Sequence, residues 1–197
     1  MSSHSPLTVL PAEASRFDDV ATILGPRDPE SPECWCLTYR LASAEKRTLT
    51  GPERAEKVRE LCSRDLAPGV LGYHGDRVVG WCGVAPRAEL NSFARSRKIP
   101  WVDDLPVWTV WCFRVRAGYR RQGVATGLLA GAVEFAREHG APAVEGYPVD
   151  NRGKRVDTTM AYVGTRPLFE GAGFRKVADT DSVSDGIPRV VMRLALT

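Results

Sequence analysis

A chain of 197 residues, 43% of them hydrophobic, suits one domain over residues 1–197 with an ordinary buried core, and it excludes disorder throughout. Lys plus Arg number 27 against 24 Asp plus Glu; the resulting formal charge of +3 is too slight to argue for nucleic acid without a basic stripe. No apolar stretch approaches the roughly 18 residues that span a bilayer, and Met1-Ser2-Ser3-His4-Ser5-Pro6 lacks a charged segment followed by an apolar run. With an odd set of five cysteines, these features predict a reduced cytoplasmic protein without a membrane partner.

Residues 7–10 read as a first strand and 14–24 as a helix with Phe17, Val20, Ala21 and Leu24 on one face, stopped by Gly25-Pro26. Residues 27–51 mix prolines, cysteines and aromatics without a clean period, and 53–66 form a charged helix turning Ala55, Val58, Leu61 and Cys62 inward. Residues 70–74 and 77–84 flank Gly75-Asp76, a polar turn that predicts an antiparallel hairpin. A long connection over 86–106 leads to a strand over 107–115. The helix over 123–139 buries Val124, Leu128, Ala132, Val133 and Ala136 and is stopped by Gly140 and Pro142. A strand over 143–148 follows, and a strand–helix–strand crossover of this length predicts a parallel, right-handed pair. Residues 149–165, with Asp150, Arg152, Lys154, Arg155 and Asp157, read as a loop, 167–171 as a short helix, and 174–177 and 189–194 as final strands. No internal repeat or second domain is evident.

The junction of the strand over 107–115 with the next helix is the most informative stretch. Arg114, Arg116, Arg120 and Arg121 cluster without an acid, and Gly123 opens the helix. Unpaired N–H groups and the positive end of the helix dipole make such a turn an anion site that suits a pyrophosphate. It is not a P-loop, because no Gly-Lys-Ser/Thr occurs, and Gly123-x-x-x-Gly127, late in the chain, is not the dinucleotide fingerprint.

The run Arg120-Arg121-Gln122-Gly123-Val124-Ala125 resembles the Arg/Gln-x-x-Gly-x-Gly/Ala signature of the GCN5-related N-acetyltransferases, and Leu168-Phe169-Glu170-Gly171-Ala172-Gly173-Phe174 resembles the late Leu-Tyr-Glu-x-x-Gly-Phe segment of that family. The resemblance implies a mixed α/β (α+β) fold with a strongly twisted mixed central sheet flanked by helices. It implies acetyl-CoA as acyl donor, no metal, and direct transfer in a ternary complex to a primary amine on a small molecule or a protein; a homodimer stays open. It also assigns the cofactor to Arg120, Arg121, Gln122, Gly123, Val124, Ala125 and Thr126 for the pyrophosphate. The backbone of Phe113, Arg114 and Val115 would pair with the pantetheine amides, and Phe169 stands near the thioester.

An amine attacks only when neutral, so a base is needed; Glu145, on the strand after the phosphate helix, is the best-placed carboxylate by chain order, although strand alternation could turn it away. Asp103, near Trp101 and Trp108, is the alternative, as part of an acidic lip for a cationic acceptor. Phe169 stands where many family members carry a tyrosine that protonates the departing thiolate; Tyr147 and Tyr162 are the substitutes, and the change also supports an alternative reading as a catalytically silent acyl-CoA sensor. In Cys34-Trp35-Cys36, Trp35 is a candidate for acceptor binding; two thiolates do not make a zinc site, so the cysteines read as core or pocket lining. Cys112 has no adjacent histidine to activate it and reads as inert.

Overall fold

In a computed structural model, which describes residues 6–152, 156, 160–184 and 186–196, seven strands form one sheet in the order β1-β2-β3-β4-β5-β7-β6. The strands are β1 (Leu7–Pro11), β2 (Gly69–His74), β3 (Arg77–Pro86), β4 (Trp108–Val115), β5 (Ala143–Gly146), β6 (Arg175–Ser184) and β7 (Ile187–Ala195). The helices are α1 (Phe17–Leu24), α2 (Ser43–Thr48), α3 (Gly51–Cys62), α4 (Asn91–Ala94), α5 (Val124–Glu138) and α6 (Arg166–Gly171). Every neighbouring pair of strands is antiparallel except β4 and β5, the pair that α5 connects. Lys154, Arg155 and Asp157, read from sequence as loop, lie outside the described residues, as does His4.

Strand alternation divides the core into two layers. Leu71, Tyr73 and Trp81 face α1 and α3, whereas Val70, Val79 and Cys82 face α5. The amphipathic helix α5 buries Val124, Leu128, Leu129, Ala132, Val133, Phe135 and Ala136. It crosses β1 at very short range, because Gly127 and Gly131 carry no side chain there; a Cβ on either would run into Leu7 or Val9.

Helix α3 starts at Gly51, two residues before the sequence places it, and ends at Cys62. Thr50 and Glu53 form a reciprocal capping box at its start, and Pro52 occupies its first turn. β6 runs for ten residues where four were expected. It is an edge strand whose Val177 and Val183 face solvent, so its alternation is hidden among charges.

Candidate functional site

The site begins with a parting of two strands. β4 and β5 pair only over Trp108↔Val144, Thr109↔Glu145 and Val110↔Gly146. β5 ends there, while β4 continues along β3 as far as Gly80↔Val115. Among the described residues no strand pairs with the β5-facing edge of residues 113–115; the Val115 carbonyl accepts from Arg120 Nε at 3.3 Å, and the rest of that edge is open to an extended chain. A bulge adds to the divergence: Val84 pairs with Val110 and Gly83 with Cys112, so Trp111 is the extra residue. Its indole lies under the Arg40 guanidinium at 4.9 Å and donates to the Cys36 carbonyl at 3.3 Å.

From Val115 the chain turns through Ala117–Tyr119 into α5. Arg121 and Gly123 take positive φ, 59° and 80°, which points successive N–H groups to one side. Gly123 caps α5 without a side-chain hydrogen bond, so the leading amides of this 15-residue helix have no cap of their own. A Cβ on Gly123 would meet nothing within 4 Å, which shows that the turn opens outward.

A cleft of about 910 Å³ runs past this turn. Arg120, Arg121, Gly123, Val124, Ala125 and Thr126 line it, as do Phe113, Arg114 and Val115. Farther back along β4 it is lined by Cys112 and Trp111 together with Cys34, Cys36, Tyr39 and Tyr162. Cys112 precedes Val115 by three strand residues, which sets those groups about 10 Å from the end of β4. Two of the expected cofactor residues lie off the cleft. Gln122 donates to the Gly118 carbonyl at 2.9 Å and braces the turn. Phe169 is fully buried, edge-on to Phe113 and Phe174 and close under Gly146.

The expected base and its alternative also lie elsewhere. Glu145 is fully buried, with Oε1 accepting from Arg193 Nε and Nη2 at 2.9 and 2.7 Å. Its Oε2 accepts from Arg87 Nη1 at 3.3 Å and from the Tyr147 hydroxyl at 2.9 Å. The cause is register: Arg193 of β7 stands directly across from Glu145 of β5, away from the cleft. The same Arg193 grips Asp103 through two hydrogen bonds, of 2.5 and 3.1 Å, and holds that carboxyl below its usual range. Glu145 and Asp103 thus belong to one ion-pair network, Arg87–Glu145–Arg193–Asp103, and neither lines the cleft. Tyr147 belongs to that network as well; burial, then the Glu145 charge, pushes its phenol well up. Trp35 packs parallel to Phe17 at 6.4 Å and is absent from the cleft, although both flanking cysteines line it.

Tyr162 does reach the cleft. Its hydroxyl lies 3.0 Å from that of Tyr39, which accepts from Arg189 Nη1 at 3.3 Å; burial, then Tyr39, pushes the Tyr162 phenol well up. Sequence reading missed Tyr39, Arg87, Arg189 and Arg193. Each acts through a partner distant in the chain, and none belongs to a motif.

Among the described residues no group of His, Cys, Asp and Glu is arranged to hold a metal ion, and no helix is long and apolar enough to cross a membrane.

No curated protein matches the chain in sequence. Solved structures do match in fold. An N-acetyltransferase from Staphylococcus aureus Mu50 superposes with a TM-score of 0.57 at 12% identity, over 98% of this chain and 100% of that one. A GCN5-related N-acetyltransferase from Kribbella flavida gives 0.54 at 19% identity, over 96% and 97%. The structure of yncA from Salmonella typhimurium with its cofactor acetyl-CoA gives 0.54 at 14% identity, over 97% and 94%. The seven-stranded mixed sheet flanked by helices matches the fold of these proteins. The profile of the acetyltransferase (GNAT) family matches residues 36–153, a span that holds the bulged strand, the Gly123 turn and α5, and the chain belongs to that family.

Proposed function

We propose that this protein transfers an acetyl group from acetyl-CoA to the primary amine of a small molecule or a protein. The observation that carries the reading is the continuity of one cleft from the uncapped turn at Gly123 to the free edge of β4. The turn takes the pyrophosphate through main-chain N–H groups, and residues 113–115 take the pantetheine amides as an added strand does. The thioester then lies toward Cys112 and Tyr162.

In this reading Tyr162 stabilises the departing CoA thiolate. The phenol is pushed above its ordinary range and the CoA thiol has an ordinary value near about 8.5, so Tyr162 keeps its proton and works as a hydrogen-bond donor. Arg189 donates to Tyr39, whose own hydroxyl proton is then directed at the Tyr162 oxygen, leaving the Tyr162 proton for the cleft. Phe169, whose missing hydroxyl supported the silent-sensor reading, is packed into the core, and a hydroxyl is present on the cleft at Tyr162 instead.

The test is CoA release from acetyl-CoA, first without acceptor and then across a library of amines. Stimulation by at least one amine class supports transfer; binding of acetyl-CoA with no stimulation by any amine favours the sensor. Binding is read separately: at a hundred times its Kd, acetyl-CoA should add about 2.7 kcal/mol of stability, and the rise in Tm should exceed that from dephosphorylated pantetheine at equal concentration. Equal shifts would remove the pyrophosphate from the interaction.

Gly123→Val tests the turn itself. A β-branched residue at φ 80° is strained and its methyls enter the path of the phosphates, so acetyl-CoA affinity should fall about tenfold or more by isothermal titration. Arg121→Ala should cost less, because it removes one exposed and screened charge and leaves the main-chain donors in place. Equal losses in the two variants would assign binding to charge and not to backbone.

A further inference from the structure

Strand β4 presents two faces to the cleft. Phe113 and Val115 pack on the side of α5, and Arg114 between them is turned to the other side, because it stands directly across from Trp81, whose ring belongs to the layer under α1 and α3. On that side the cleft is walled by Ile23 of α1 and by a turn over 34–37, in which Leu37 N donates to Cys34 O at 2.9 Å and Trp35 and Cys36 take φ of 47° and 61°. Trp111 and Trp81 hold the turn, donating to the Cys36 carbonyl at 3.3 Å and to the Cys36 sulfur at 3.2 Å. With the pantetheine along the edge of β4 and the phosphates at Gly123, this face is left for the acceptor.

Three arginines charge that face. Arg114 is exposed in the cleft, its guanidinium makes no hydrogen bond or ion pair with a described residue, and its charge is felt at the Cys112 sulfur two residues back. Arg40 lies over the Trp111 ring at 4.9 Å and reaches Glu89 at 3.9 Å. Arg189, only 5% exposed, donates to the Tyr39 hydroxyl and the Tyr147 carbonyl; it has no carboxylate partner among the described residues, and its Nη2 has no hydrogen-bond partner. No Asp or Glu occurs among the described residues that line the cleft, so the field of these cations is not cancelled there.

We propose that the acceptor is a small amine that also carries a carboxylate or a phosphonate, and that Arg114 selects it by holding that anion. This rests on the acetyl-transfer reading above and names the acceptor class for the same cleft. Arg114 stands two strand residues from Cys112, about 7 Å along β4, so an anion on its guanidinium leaves an amine a few bonds away within reach of a thioester lying toward Cys112. The paired N–H groups of a guanidinium match two oxygens of either anion and so fix orientation as well as affinity. A diamine would set its second cation against Arg114 and is disfavoured. The same surroundings favour the neutral, attacking form of the amine, since a like charge disfavours the ammonium.

The experiment is steady-state kinetics of the full chain with acetyl-CoA and matched acceptors: amino acids, aminophosphonates, the amides of the same amino acids, and diamines. In the wild type, kcat/KM for the best acid should exceed that for its neutral counterpart by about 10- to 100-fold, the size of a charge-assisted hydrogen bond. Arg114→Gln should bring that ratio near one, and Arg114→Glu should turn the preference toward diamines. Arg114 is exposed, so both variants should keep the wild-type Tm. A preference for amino acids or for aminophosphonates supports the inference and identifies the anion. Equal use of acid and amide by the wild type, or an equal loss on both in Arg114→Gln, overturns it and leaves acetyl transfer intact. No stimulation by any amine overturns the transfer reading and this inference together.

Discussion

Glu145→Ala should destabilise the fold by about 3–5 kcal/mol, because it leaves the fully buried Arg87 without its carboxylate. Arg87 has other partners, donating to the carbonyls of Ile99 at 2.6 Å and Phe93 at 3.3 Å and lying over the Trp101 ring at 4.4 Å. Those dipoles solvate the guanidinium without cancelling its charge, so the penalty of an unpaired buried ion remains. Arg193 keeps Asp103 and stays near the surface, and it suffers less. The measurement is urea unfolding followed by acetyl-CoA titration of the folded variant. The midpoint should drop with the slope unchanged, Tm should fall by about 6–20 °C, and acetyl-CoA affinity should stay near that of wild type. A variant of full stability that has lost turnover would return Glu145 to the role of base.

Tyr162→Phe carries the largest expected effect on rate. Removing one preorganised donor aimed at developing negative charge costs about 10²–10³ in kcat, and the value here should lie near the lower end because CoA is a tolerable leaving group. The KM for acetyl-CoA should change little, since the anion turn and the edge of β4 are untouched. Tyr39→Phe should cost less, because it removes only the group that orients Tyr162 and leaves the Tyr162 hydroxyl and the ring packing on Phe93 in place. Steady-state kinetics with an amine found in the library screen decide it: unchanged kcat in Tyr162→Phe would make the hydroxyl structural.

What could be read in the chain and what could not divides along a physical line. The strand, arginine-rich turn and helix from Trp108 to Glu138 are legible because their determinants are local: an apolar strand, Gly123 at a left-handed cap, and apolar residues at helical spacing. Glu145 misleads for the opposite reason. Its partners Arg87 and Arg193 lie 58 and 48 residues away, and the face on which it falls is set by the β5–β7 register. The tight turn at Trp35 and Cys36 is hidden because such turns announce themselves by Asn or Gly, and here tertiary hydrogen bonds override local preference. The length of β6 is hidden by its position, since on an edge strand with both faces partly wet the alternation falls among charged and polar residues.

The close crossing of α5 over β1 has a mechanical consequence. Two contacts four residues apart, at Gly127 against Leu7 and Gly131 against Val9, set both the height and the tilt of the helix. The amides at its start therefore cannot slide toward or away from Cys112 without prising β1 from the sheet. Under the proposed cofactor reading the cleft is a fixed gauge: the span between the Gly123 turn and its thiol-lined end is set by packing on the far side of the helix. Acyl carriers whose arm is shorter or longer than that span would present their carbonyl out of reach, whatever the chemistry of their head group. In that reading, selection by length would originate in two missing side chains on the helix face that packs against β1.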